Sequence, residues 1–319
     1  MKMKNVKLAI GASLLALTLV ACSGGDKANG GNDQAKNNKA KTENTANASK
    51  EGESGDLAKL GQIAVISRED GSGTRGAFTE ITGLVEKNGD QEVDNTTASA
   101  TVQNSTNGVM TTVAGNPSAI GYISLGSLND TVKALTLEGV EATPENILSG
   151  EYKLARPFLL VTKGEPKEGS LEADFIKFAL SKDGQAIAEQ EGYVKNEKAE
   201  DYKPGNVSGE ITVAGSTSVT PLMEKLVEAY KKVNSGANIQ IQSNGSSAGI
   251  TAAAEGTAQI GMSSRELKDE EKTNVQGIVL AQDGIAVIVN KENPAKDITM
   301  EQIKNIFNGS MAAWGDLAK

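Results

Sequence analysis

Histidine is absent from all 319 residues, and cysteine occurs once, as Cys22. The first absence excludes Ser-His-Asp and Cys-His catalysis, imidazole metal ligation and the ordinary protonation switch near neutrality. The second excludes disulfides, thiolate zinc clusters and CxxC redox chemistry. No segment reaches the roughly 20 apolar residues that a membrane-crossing helix requires. Basic residues are outnumbered, with 32 Lys and Arg against 41 Asp and Glu, a net charge of −9. That balance argues against nucleic acid as a partner, because phosphate-backbone binding rests on clustered Lys and Arg. It leaves a small anion open, since oriented N–H dipoles act locally even on an acidic protein.

What is present begins with an address. Lys2, Lys4 and Lys7 precede an apolar stretch from Leu8 to Val20. Leu19-Val20-Ala21-Cys22 then resembles the lipobox of bacterial lipoprotein signal peptides. The resemblance implies export, cleavage before Cys22, and a diacylated cysteine that anchors the chain to the cell membrane without spanning it. Loss of the three signal lysines takes the charge from −9 to −12. Residues 23–55 carry no aromatic side chain and no apolar periodicity. Such a stretch buries too little surface to offset chain entropy, so a disordered tether is expected. The rest is long enough for two compact domains.

The body alternates strand and helix signals, which predicts α/β layers. Three strands run into Gly/Ser/Thr-rich turns that open helices. They are Ile63–Ser67 into 68–75, Glu210–Val213 into 214–218, and Ile239–Gln242 into 244–249. Each turn aims backbone N–H groups and hydroxyls from a helix N-terminus, a candidate anion cradle. Taken singly, Ser or Thr there is an ordinary cap worth about 1 kcal/mol. Further along, helices are expected over Gly76–Lys87, Leu171–Ser181, Gly184–Glu191, Pro221–Val233 and Ile298–Asn308. Val102–Val113 is a Ser/Thr/Asn mix with helical spacing around Val109, Met110 and Val113, and Val194–Ser208 is a polar connector.

Four separated segments carry a resemblance. Ala214-Gly215-Ser216-Thr217, Gly245-Ser246-Ser247-Ala248-Gly249, Ile260-Gly261-Met262-Ser263-Ser264 and Ser67-Arg68-Glu69-Asp70-Gly71-Ser72-Gly73-Thr74 look like the phosphate-binding proteins of bacterial phosphate ABC transporters, the PstS family. The similarity runs from about residue 60 to the end, but the family's later half comes first. Reading 209–319 and continuing at 60–196 restores the usual order. Gly-Asp-Leu-Ala-Lys occurs both at Gly55–Lys59 and at Gly315–Lys319, the scar expected of circular permutation. The resemblance implies a two-lobed, class II periplasmic-binding-protein-like α/β fold, circularly permuted, with ligand in the interlobe cleft. Its lobes would comprise 60–156 plus 289–319, and 157–288.

By the same resemblance the site draws Arg68, Ser72, Gly73 and Thr74 from one lobe, and Thr217, Ser218, Ser246 and Ser264 from the other. Arg68 is the expected charged fork to two phosphate oxygens. Asp70 is expected to brace that guanidinium or to accept the ligand's proton. Where better-known relatives place an Asp, this chain has Ser264, followed by Arg265, so Asp283 stands as a further acceptor candidate. The partners implied are inorganic phosphate and permease subunits of the transporter, with the protein a monomer, no cofactor, no metal and no bond broken.

Other readings compete. A binding protein for another tetrahedral oxyanion such as sulfate, or a surface adhesin with a relic cleft, fits the same features. Gly71-Ser72-Gly73-Thr74-Arg75-Gly76 matches G-x-G-x-x-G between strand and helix, the pattern of a dinucleotide site, although a lone match is weak. A hydrolase would need Ser246, Ser247 or Ser264 as nucleophile, with no histidine base and no Ser-x-x-Lys context.

Overall fold

The computed structural model describes residues 56–88 and 91–317, so the signal, Cys22 and the tether lie outside the described residues. Strand β1 (Ala64–Arg68) leads to helix α1 (Gly73–Ile81) and a hairpin of β2 (Val85–Asn88) and β3 (Gln91–Asp94). Strand β4 (Thr101–Gln103), helix α2 (Thr106–Ala114) and β5 (Ala119–Ser124) follow. Short strands β6 (Val132–Ala134) and β7 (Thr136–Leu137) and helix α3 (Pro144–Leu148) precede the long β8 (Ala155–Thr162). Helices α4 (Leu171–Leu180) and α5 (Lys182–Gln190) come before an irregular connector. Then come β9 (Gly209–Gly215), α6 (Thr220–Val233), β10 (Ala237–Ser243), α7 (Ser246–Glu255) and β11 (Ile260–Ser263). Helix α8 (Asp269–Lys272), β12 (Gln276–Asn290), β13 (Asp297–Ile298) and α9 (Met300–Phe307) close the order.

One mixed sheet runs β10-β9-β11-β8-β12-β5-β1-β4, with β6 added on β12. Strand β12 holds it together. Its residues from Gln276 to Gly284 pair antiparallel with β8, and Ile285–Val289 pair antiparallel with β5. Two main cores form on either side of that change of partner. One gathers Phe158, Phe175, Phe178, Tyr230, Met262 and Leu280. The other gathers Phe78, Tyr122, Val287, Phe307 and Trp314, with the Phe78 and Tyr122 rings stacked at 3.9 Å. Strand β12 leaves the first core at Ala281 and enters the second at Ile285, ahead of the expected 288/289 boundary.

Local sequence explains the elements. Helix α6 buries Leu222, Met223, Leu226, Val227 and Tyr230 along one face and carries Pro221 in its first turn. Strand β5 is buried at all six positions, which suits a strand packed on both faces. The helix expected over 76–87 instead spans 73–81. Gly83, at φ +68°, turns the chain, and Val85 and Glu86 then pair with Asp94 and Val93.

The ends of the body meet. A single helical turn over 56–59 buries Leu57, and Ala58 lies against Gly315. The Trp314 amide donates to the Gly61 carbonyl at 3.0 Å, and Ile63 to Ala312 at 2.8 Å. The described parts of the two Gly-Asp-Leu-Ala-Lys copies, 56–59 and 315–317, therefore share one seam. The connector is pinned elsewhere: buried Asp174 accepts from the hydroxyls of Tyr202 and Tyr230, each at 2.6 Å, and from the Gly205 amide.

Candidate functional site

Four helix N-termini converge where the two halves face each other: α1 and α2 from one side, α6 and α7 from the other. Each contributes roughly half a positive charge. Arg68, at the end of β1, is 1% exposed and lies among them. Its Nε and Nη2 donate to the two oxygens of Glu69, at 2.8 and 2.9 Å. Nη2 also donates to Thr217 Oγ1 at 2.9 Å, and Nη1 reaches Thr106 Oγ1 at 3.5 Å. Glu69 thus holds one edge of the guanidinium, and the Nη1/Nη2 edge is turned toward hydroxyls of both halves. Behind it, the Arg68 amide donates to the Tyr122 hydroxyl, whose pKa burial pushes up to about 12.

The hydroxyls form one connected cluster. Thr74 and Ser218 lie 2.8 Å apart, and Thr106 is 3.2 Å from Ser218 and 3.3 Å from Thr217. Ser216 donates to Ser264 at 2.8 Å, Ser246 is 3.4 Å from Ser264, and the Ser264 amide donates to Ser246 at 3.1 Å. Gly73 fits between the last two. A β-carbon there would stand 2.2 Å from Ser246 Oγ and 2.7 Å from Ser264 Oγ, so only a bare backbone permits the approach. Next to it the Ser247 amide donates to the Gly71 carbonyl, joining the halves through main chain.

Beneath the cluster lies a buried ion pair. Arg156 of β8 and Asp283 of β12 are cross-strand partners in register. Arg156 Nη2 and Nε donate to Asp283 Oδ2 at 2.9 and 3.1 Å, and Ser124 donates to the other oxygen. Burial pushes the Asp283 carboxyl up and the Arg156 guanidinium down, and each holds the other charged against that tendency. Arg156 Nη1 also donates to the Ser264 carbonyl at 3.0 Å, tying the pair to the cluster.

A cavity of about 150 Å³ adjoins this cluster, lined by Thr106, Thr217, Ser127, Thr220 and Glu224 among others. A wider depression of about 570 Å³, lined by residues such as Glu86, Lys304 and Asn308, contains no member of the cluster. Arg68, Gly73, Thr74, Thr217, Ser218, Ser246 and Ser264 are brought together. Ser72 is buried beside them and caps α1, accepting from the Arg75 amide. Asp70 is not among them. Its side chain is 96% exposed and pairs with Arg75 at 2.6 Å, and the bracing role falls to Glu69. Asp283 is spent on Arg156 and Ser124. Thr106 was missed, although Val102-Gln103-Asn104-Ser105-Thr106 is a fourth strand-turn-helix unit of the same kind.

A mixed sheet bridging two cores, with a hydroxyl-lined cleft between them, defines a two-lobed solute-binding protein. The PBP superfamily domain model matches residues 31–183 and 201–319. Phosphate-binding protein PstS 2 of Streptococcus agalactiae is 52% identical over 261 residues, covering 81% of this chain and 89% of that protein. A crystal structure of a phosphate-binding protein of a phosphate ABC transporter from Streptococcus pneumoniae is 50% identical, with a TM-score of 0.66. It covers 81% of this chain and 100% of that one. Phosphate-binding protein PstS of Pseudomonas aeruginosa is 37% identical over 131 residues, 36% of this chain and 41% of that protein. The chain belongs to the PstS family of phosphate-binding proteins within the PBP superfamily.

Proposed function

We propose that this protein captures inorganic phosphate outside the cytoplasm and delivers it to the permease of a phosphate ABC transporter. The observation that carries the reading is the cluster itself: Arg68 and hydroxyls of both halves meet across the cleft within hydrogen-bonding distance. A tetrahedral anion seated there draws the lobes together through bonds to each. Binding and release are then the whole task, and closure is the signal to the permease. Titration calorimetry with phosphate tests it. Micromolar or tighter binding that Arg68→Ala abolishes is expected, and no binding at about 1 mM phosphate overturns it.

Two further parts belong to the proposal. Cys22 is the lipid-anchored residue, and Cys22→Ala is expected to release the protein from membranes into the medium. The chain is also circularly permuted relative to part of its family. Two features support this: the match to the Pseudomonas relative covers 36% of this chain against 81% for the streptococcal one, and residues 56–63 share a seam with 312–317. A chain rejoined as 209–319 followed by 60–208 tests the permutation, and failure to fold and bind phosphate counts against it.

A further inference from the structure

Resting on the phosphate reading, we propose that the cleft reads the ligand's proton with the Thr74–Ser218 hydroxyl pair. Ser264 then faces the ligand as a donor, so the site takes phosphate as its dianion and also admits a fully deprotonated tetrahedral dianion such as sulfate. A hydroxyl has one proton to give and two lone pairs with which to accept. Where it accepts from a group that can only donate, its own proton points elsewhere.

The Ser218 amide can only donate, and it donates to Ser216 Oγ at 3.2 Å. Ser216 Oγ donates in turn to Ser264 Oγ, which leaves the Ser264 proton for Ser246 or the ligand. Ser246 Oγ accepts from the Ser264 amide, so its proton is released in the same way. Thr217 accepts from the guanidinium of Arg68. Ser216, Ser246 and Thr217 are thus fed by amides or the guanidinium and Ser264 by Ser216, so each keeps its own proton for a further acceptor. The Thr74–Ser218 contact differs: among the described residues no amide or guanidinium donates directly to either oxygen, and the other hydroxyl on Ser218, Thr106, itself 3.5 Å from Arg68 Nη1, can donate to it or accept from it. That pair can turn to accept one P–OH, or to donate to a bare oxygen.

The carboxylates tied to the cluster are already engaged. Glu69 holds Arg68 with both oxygens, and Asp283 holds Arg156 and Ser124. The other charged groups around it are Arg75, which donates to the Arg68 carbonyl, and Arg265, which contacts Ser247 and pairs with Glu271. Glu224 lines the adjoining cavity. The monoanion brings a second P–OH, which would confront a proton of Ser264, Ser246 or Thr217 and remain unmatched.

Calorimetry of the full chain with inorganic phosphate and with sulfate decides this. Below the second ionisation of phosphate, each pH unit changes the dianion fraction about tenfold, so the phosphate Kd is expected to fall about tenfold from pH 5.5 to pH 6.5. Sulfate is a dianion throughout, reports any titration of the protein itself, and is expected to bind with a flat profile and displace phosphate. Ser264→Asp, confirmed folded by thermal melting, supplies a fixed acceptor and is expected to weaken sulfate at least about tenfold more than phosphate. A phosphate Kd unchanged between the two pH values overturns the proposal. So does sulfate that fails to displace phosphate at about a thousandfold excess. Binding of neither anion overturns the phosphate reading itself, and this inference with it.

Discussion

Replacing Gly73 with alanine adds one carbon at the closest approach of the two halves. That carbon would stand 2.2 Å from Ser246 Oγ, 2.7 Å from Ser264 Oγ and 2.9 Å from Ser246 Cβ. A rotamer change at Ser246 moves its Oγ but not its Cβ, so the loops must separate. Overpacking of this kind costs about 1–3 kcal/mol. Gly73 belongs to one half and both serines to the other, so the cost falls on the joined arrangement and leaves each core intact. If ligand binding draws on that joining, the phosphate Kd should rise by a factor of about 5 to 150. Calorimetry measures the affinity, and thermal unfolding without ligand checks the cores, where little change is expected. Phosphate affinity within about twofold of the parent would refute the claim that these loops must touch for phosphate to be held.

Glu69→Ala frees the guanidinium of Arg68 and is expected to raise the phosphate Kd about tenfold or more, whereas Asp70→Asn leaves it unchanged, because that carboxylate lies in solvent. Thr106→Val keeps the shape and removes the hydroxyl between Thr217 and Ser218, and a several-fold loss of affinity by calorimetry, about 1 kcal/mol, is expected. Arg156→Ala strands Asp283 and should destabilise the fold by about 3–5 kcal/mol in denaturant melts. Partial desolvation pushes the Asp94 and Glu271 carboxyls up, but bonds from Thr96 and Arg75, and from Arg265, outweigh it and hold both below their ordinary range. A depressed folded pKa stabilises above the unfolded value and is lost as pH falls through the folded one. Stability should therefore decline below about pH 4, read by circular dichroism.

The strand-turn-helix units at Arg68, Thr217 and Ser246 were legible because Gly, Ser and Thr cluster where a strand turns into a helix N-terminus. The amphipathic face of α6 was legible from spacing alone. What the sequence hid was direction. Asp70 and Glu69 are adjacent, and only the backbone path after β1 decides which carboxylate turns back onto Arg68. Asp283 stands in the sequence as an acceptor candidate, but its register opposite Arg156 is a property of strand pairing, which no local pattern encodes. Thr106 escaped notice because its strand is three residues long and its helix carries a single weak apolar face.

Strands β8 and β12 run from one core into the other without a break in chain direction, and β12 carries a register shift between Val279 and Ala281. Any swing of the halves must therefore flex hydrogen-bonded ribbon instead of swivelling on a loose joint. Ribbon resists large excursions and recoils when let go, much as a leaf spring does. An elastic return that empties the cleft would be stored in the same two segments that keep the halves in register.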